Sequence, residues 1–149
     1  MQHEDNILDY GLPFLFGKPP DLYRGYTYLD SEIVESNEVV NGVSVVGNQM
    51  PNAPQNSFSL WTTYDFLERW QVGTGIFYVD ERFANNANSN VVPSYVRWDM
   101  TVGYQITKNI QLRLNALNLT NELYFDGVHP VHVIPGAGTT IIGTALFNF

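Results

Sequence analysis

Six stretches of this chain alternate apolar and polar residues with a period of two, which is the signature of strands with two unlike faces. They fall at about 21–33, 57–67, 70–81, 95–107, 109–119 and 139–149. Each meets or slightly exceeds the roughly 9–11 residues that a tilted membrane-crossing strand needs. In the fifth stretch Ile110, Leu112, Leu114 and Ala116 share one face, and Gln111, Arg113 and Asn115 share the other. The fourth sets Trp98, Met100, Val102, Tyr104 and Ile106 against Arg97, Asp99, Thr101, Gly103 and Gln105. The second sets Phe58, Leu60, Thr62, Tyr64 and Phe66 against Ser57, Ser59, Trp61, Thr63 and Asp65. In the last, Ile141, Gly143, Ala145, Phe147 and Phe149 oppose Thr140, Thr144 and Asn148, although Ile142 and Leu146 interrupt the polar side.

The connections sharpen this reading. Tight turns near Glu68–Arg69 and near Lys108 alternate strictly with long connections at about 34–56, 82–94 and 120–138. Membrane barrels have this rhythm, with short periplasmic turns and long outer loops. With that orientation Tyr64, Phe66, Trp70, Tyr104 and Phe149 lie toward the periplasmic interface, and Phe58, Tyr78 and Trp98 toward the other. All have outward parity, as two aromatic girdles at the headgroup level require. A soluble barrel or sandwich with an aromatic core is the alternative that the residues leave open.

Composition agrees with a barrel. Charged residues are 15% of the chain, against about 25% in soluble domains, while aromatics reach 14%. The net charge of −8 lacks the basic footprint of a nucleic-acid surface. The absence of cysteine rules out disulfides and thiolate metal sites. No apolar run approaches the roughly 20 residues of a membrane helix. The first twenty residues read as irregular and resemble no secretory leader. The chain therefore divides into an irregular segment, 1–20, and a strand-rich segment, 21–149.

Several segments resemble TonB-dependent outer-membrane siderophore receptors. Asn56 to Tyr64 is similar to a serine–leucine–tryptophan–threonine–threonine–tyrosine strand of that family. Val92-Pro93-Ser94-Tyr95, followed by Asp99, resembles the opening of another strand. Asn115 to Asn121 with Tyr124 resembles the penultimate-strand motif, and Pro135-Gly136-Ala137-Gly138 the segment that opens the final strand. Phe149 is similar to the terminal aromatic of outer-membrane proteins. His129-Pro130 and His132 resemble the catecholate-receptor branch. One departure is Thr139, where the family usually has a basic residue.

The resemblance covers about 22–149. It implies an all-β, antiparallel, up-and-down transmembrane β-barrel segment: about six C-terminal strands of a barrel of about 22. It implies a receptor for ferric siderophores embedded in outer-membrane lipid. The TonB complex would be reached only through an N-terminal plug that this sequence does not contain. The barrel-assembly machinery would read the C-terminal strand through Phe147 and Phe149. Transport by this chain alone is not expected. A truncated or frameshifted gene product without activity, and an outer-membrane protease or lipase, are the competing readings.

Candidate ligand contacts follow from the loops, which disproportionately carry binding. Arg82 and Phe83 open the second long connection, where a cation beside an aromatic suits an anionic catecholate. An ion pair of Arg82 with Asp80 or Glu81 is the structural alternative. Tyr124, Phe125, His129 and His132 are the candidates in the third loop. Two imidazoles are too few for a zinc site, so no metal or other cofactor is assigned. Arg97, Asp99 and Arg113 share the polar face, where a ladder of cross-strand charges is expected. Gly73 and Gly75 sit within a strand and mark a bend or close packing. No nucleophile elbow or phosphate-cradling glycine loop appears, so no catalytic residue is assigned.

Overall fold

The computed structural model describes residues 19–130 and 132–149. In chain order its elements are β1 (Asp21–Tyr28), β2 (Val39–Val40), β3 (Val43–Ser44), β4 (Asn56–Phe66), β5 (Trp70–Val79), β6 (Arg82–Phe83), β7 (Val91–Val92), β8 (Tyr95–Thr107), β9 (Ile110–Leu117), β10 (Phe125–His129), β11 (His132–Pro135) and β12 (Thr140–Phe147). Six of them form one sheet in the order β1-β4-β5-β8-β9-β12, each antiparallel to its neighbours. This is the up-and-down order that the alternation predicts. The irregular reading of 1–20 lies, for residues 1–18, outside the described residues.

Strand limits differ from expectation where a partner runs out. β1 stops at Tyr28 instead of 33, because its partner β4 begins only at Asn56, just after Pro54. β5 stops at Val79, and the next two residues to pair, Arg82 and Phe83, bond to β7 in a separate hairpin. β9 stops at Leu117 because Asn118 turns left-handed at φ 53°. The long connections are also less irregular than expected. Each contains one small hairpin: β2–β3, β6–β7 or β10–β11.

Register fixes the two faces. Phe66, Trp70, Tyr104, Leu112 and Ala145 stand in one row, and Tyr64, Val72, Val102, Leu114 and Gly143 in the next. The apolar face is open: Leu114 is 52% exposed and Ile141 67%. Polar residues are covered on the opposite side, with Asp99 at 3% and Thr101 at 8%. A soluble sandwich would bury the first set and expose the second. Near the short turns the outward aromatics form a band. Ring centroids are 6.3 Å apart for Tyr64–Phe66, 6.3 Å for Phe66–Trp70 and 4.6 Å for Trp70–Tyr104. Tyr26, Phe58 and Tyr78 share a row toward the other end.

On the polar face Trp61 lies across Gly73 and Gly75 of the adjacent strand. A Cβ on Gly75 would fall inside the indole. Close packing therefore explains these glycines.

Candidate functional site

The long loops gather at one end of the sheet, and hydrogen bonds lace the first two together. Asn48 Nδ2 donates to the Asn86 carbonyl at 2.7 Å, and Asn86 Nδ2 to Glu38 Oε2 at 2.6 Å. Gln49 and Asn88 exchange two bonds of 2.8 Å, between the Asn88 side-chain amide and the Gln49 backbone. Asparagine side chains thus lace the two loops together.

Arg82 joins all three loops. Its Nε donates to Asn52 Oδ1 at 2.9 Å and its Nη2 to the Phe125 carbonyl at 2.6 Å. Among the described residues it forms no ion pair with Asp80 or Glu81. Arg82 is 5% exposed, inside the loop assembly. Asp80 is engaged elsewhere, accepting from Asn56 Nδ2 at 2.9 Å and from the Tyr78 hydroxyl at 3.0 Å. These bonds hold its carboxyl below the usual carboxylate range, with the Asn56 amide the larger cause. Phe83 is half-buried beside Arg82, and its carbonyl accepts from the Asn52 amide at 2.8 Å.

Below the loops, β8 presents Tyr95, Arg97, Asp99 and Thr101 on the polar face. Arg97 pairs across the sheet with Phe77, and its guanidinium carbon lies 5.0 Å from that ring's centroid. Tyr124 descends from the third loop and brings its ring to 5.6 Å from the same guanidinium. The Tyr124 and Tyr95 rings lie 4.8 Å apart. Gly136 passes directly under the Tyr124 ring, where a Cβ would collide with it. Arg97 Nη2 pairs with Asp99 Oδ2 at 3.0 Å, leaving the arginine side chain 27% exposed. A groove of about 270 Å³ opens beside it, lined by Tyr95, Phe77, Ser57, Ser59 and Thr27 as well as Arg97.

The expected ladder of charges reduces to this along-strand pair. Arg113 faces Gly103 and Thr144 across the sheet, so no carboxylate stands opposite it. Asp99 also fixes the base of the third loop, where its Oδ1 accepts the Asn118 amide at 2.8 Å.

Of the residues singled out in the sequence, Tyr124 joins this cluster and Phe125 contacts Arg82. His129 and His132 stand apart at the exposed end of β10–β11, with rings stacked at 4.6 Å. Phe147 and Phe149 are exposed at the short-turn end. Arg97, Tyr95 and Phe77 were the residues missed as candidates. The available signal was Tyr95-x-Arg97 on the polar face, opposite an aromatic at the paired position of β5.

Comparison with known proteins agrees with this architecture. A family model described as TonB dependent receptor-like, beta-barrel, matches residues 10–119. The probable TonB-dependent siderophore receptor PiuA of Acinetobacter baumannii is 40% identical over 118 residues, covering 75% of this chain and 16% of its own length. The crystal structure of PiuA superposes with a TM-score of 0.79 over 86% of this chain and 19% of that one, at 36% identity. The ferrioxamine B receptor of Salmonella typhimurium is 31% identical over 137 residues, 86% of this chain and 19% of that protein. The catecholate siderophore receptor Fiu of Escherichia coli is 25% identical over 131 residues, 84% and 17% respectively. The chain thus spans less than a fifth of the length of these relatives. Its outward apolar face, its alternating short turns and long loops, and these matches make it part of a transmembrane barrel, and it belongs to the TonB-dependent receptors.

Proposed function

We propose that this segment forms part of the wall and outer loops of an outer-membrane receptor of a Gram-negative bacterium that takes up ferric siderophores. The observation that carries the reading is the half-exposed Arg97, framed by Phe77, Tyr124 and Tyr95 on the polar, lumen-side face. A guanidinium flanked by aromatic faces suits an anionic ligand with flat aromatic groups through charge and cation–π attraction. That chemistry favours a catecholate-type ferric complex. The names of the relatives include both a catecholate and a ferrioxamine receptor, so ligand class is read from Arg97 and its rings. In the complete receptor, energy would come from the TonB complex through a plug. The barrel-assembly machinery would engage the last strand at Phe147 and Phe149, and lipid would cover the apolar face. No covalent chemistry is assigned.

The test is uptake of radiolabelled ferric siderophores by a receptor-deficient strain that carries the whole receptor. Arg97→Gln removes a charged contact worth about 1.5–3 kcal/mol, a loss of roughly ten- to a hundredfold in affinity for a catecholate complex. A ferrioxamine should be taken up less well than the catecholate by the unaltered receptor. Unchanged catecholate affinity in Arg97→Gln, with normal surface levels, would refute the assignment of Arg97.

A further inference from the structure

Tyr124, whose ring flanks the Arg97 guanidinium, lies between the left-handed turn at Asn121 and the first residue of β10. Hydrogen bonds hold its backbone from two sides. The Gly136 amide donates to the Tyr124 carbonyl at 2.8 Å. In an antiparallel pair the hydrogen-bonding groups of successive residues turn alternately toward the partner and away from it. The next carbonyl, that of Phe125, therefore turns away from β11. Its register partner Pro135 has no N–H to offer in any case. Arg82 Nη2 supplies the donor, at 2.6 Å.

Arg82 is itself aimed. Its Nε donates to Asn52 Oδ1, and the Asn52 amide donates in turn to the Phe83 carbonyl. One residue of the first loop thus fixes both the arginine side chain and the backbone beside it. Stability does not explain why an arginine stands here. The side chain is buried, has no carboxylate partner among the described residues, and leaves Nη1 without a hydrogen bond. An apolar side chain of similar volume is the more favourable occupant of such a place. What it would lack is the donor to the Phe125 carbonyl.

We infer that Arg82 is a positioning residue of the ligand site, which sets the preference for flat aromatic ligands by holding Tyr124 beside Arg97. The inference rests on the reading of Arg97 and its rings as the ligand contact. Arg82 acts through the backbone of the residue that follows Tyr124. Releasing that carbonyl removes one of the two backbone anchors of the ring. A ligand that stacks on Tyr124 then loses affinity, whereas one that meets Arg97 without stacking is little affected.

Binding is measured on the whole receptor carrying this sequence, with two probes: the ferric complex of 2,3-dihydroxybenzoic acid, and ferrioxamine B. Arg82→Met keeps an unbranched stem and removes the donors. It should weaken the catecholate complex at least tenfold and change ferrioxamine B less than threefold, with a melting temperature unchanged or higher. Without ligand, amide exchange at Gly136 should quicken at least tenfold. Tyr124→Leu should weaken the catecholate complex as much, and adding Arg82→Met to it should weaken binding less than threefold further. Should methionine block assembly, Arg82→Gln takes its place with the same binding and exchange expectations. Unchanged exchange at Gly136, or losses that multiply in the double variant, overturns the positioning role. Equal losses for both probes, together with a lower melting temperature, mark a merely structural arginine and overturn it as well. Faster exchange at Gly136, with catecholate binding that neither Tyr124→Leu nor Arg97→Gln changes, overturns the reading of Arg97 as the ligand contact and leaves the hold of Arg82 on the loop standing.

Discussion

Asn118 is the residue on which the third loop turns, and replacing it should loosen that loop without touching the barrel strands. The residue is 1% exposed and sits in the left-handed region at φ 53°. Its side chain makes three hydrogen bonds. Nδ2 donates to the Glu122 carbonyl at 2.9 Å and to the Ala137 carbonyl at 3.0 Å, and Oδ1 accepts the Glu122 amide at 2.8 Å. Thus one side chain ties the start of the loop to its end. At about 0.5–1.5 kcal/mol for each bond, removing them costs about 1.5–4.5 kcal/mol. Alanine adds roughly 1 kcal/mol of left-handed strain, which asparagine tolerates and glycine avoids. Asn118→Ala should therefore loosen the loop by about 3–5 kcal/mol, and Asn118→Gly by roughly 1 kcal/mol less. The assay is amide hydrogen exchange of residues 118–139 in the purified receptor. A loss of 3 kcal/mol speeds exchange by about a hundredfold, at 1.4 kcal/mol for each factor of ten. Exchange faster by less than tenfold in both variants would show that Asn118 does not anchor the loop. Equal acceleration in the two would remove the strain argument.

The glycines under Trp61 give a second expectation. Gly75→Ala should destabilise the barrel by about 1–3 kcal/mol through overpacking, and should cost less when Trp61 is already alanine. Unfolding of the four variants measures that coupling, and strictly additive effects would refute the close packing. Asp80 supplies a pH dependence. Its folded pKa lies below the usual value, so its stabilisation is present above the unfolded pKa of about 3.9 and disappears as pH falls through the folded value. The stability difference between the unaltered receptor and Asp80→Asn should vanish in strong acid and persist at neutrality; a difference that grows on acidification has the wrong sign.

The sheet was legible because both of its signals are local. Period-two alternation survives in each strand, and β8 coincides with the predicted 95–107. Strand ends were less legible, because they depend on where a partner begins, as Tyr28 opposite Asn56 shows. The motif Asn118-x-x-Asn121 matched the family by pattern, and the structure gives it a physical meaning: both asparagines have positive φ, at 53° and 51°. The hydrogen-bond partners of Arg82 could not be read from the sequence, since Asn52 and Phe125 are 30 and 43 residues away and meet it only in the folded loops. Arg97 was visible by parity, but its aromatic frame required the register of β5 and the descent of Tyr124. Arg24 remains at odds with simple alternation. It faces outward opposite Leu60, among apolar neighbours, on the edge strand β1. Its long stem suits a charge that reaches toward the interface while its carbons stay in hydrocarbon.

The two edges of the sheet decide what this chain can do by itself. β1 and β12 each have eight residues and, among the described residues, a neighbouring strand on one side only. Roughly half of their backbone groups point outward, about eight per edge, counting donors and acceptors. Even at about 2 kcal/mol each, the low end for an unsatisfied group in an apolar medium, both edges together cost about 30 kcal/mol in lipid. That exceeds the 5–15 kcal/mol net stability of an ordinary domain. Water would satisfy the edges but leave the row of Trp70, Tyr104 and Leu112 and its neighbours exposed as a continuous apolar surface, which drives association. Neither solvent suits an isolated six-stranded sheet, whereas pairing both edges within a closed barrel in lipid removes both penalties. The 149-residue chain made without lipid or detergent should therefore sediment as aggregate on ultracentrifugation. A monodisperse monomer in plain buffer at micromolar concentration would mean that the apolar face is covered from within the chain. The assignment of that face to lipid would then be wrong.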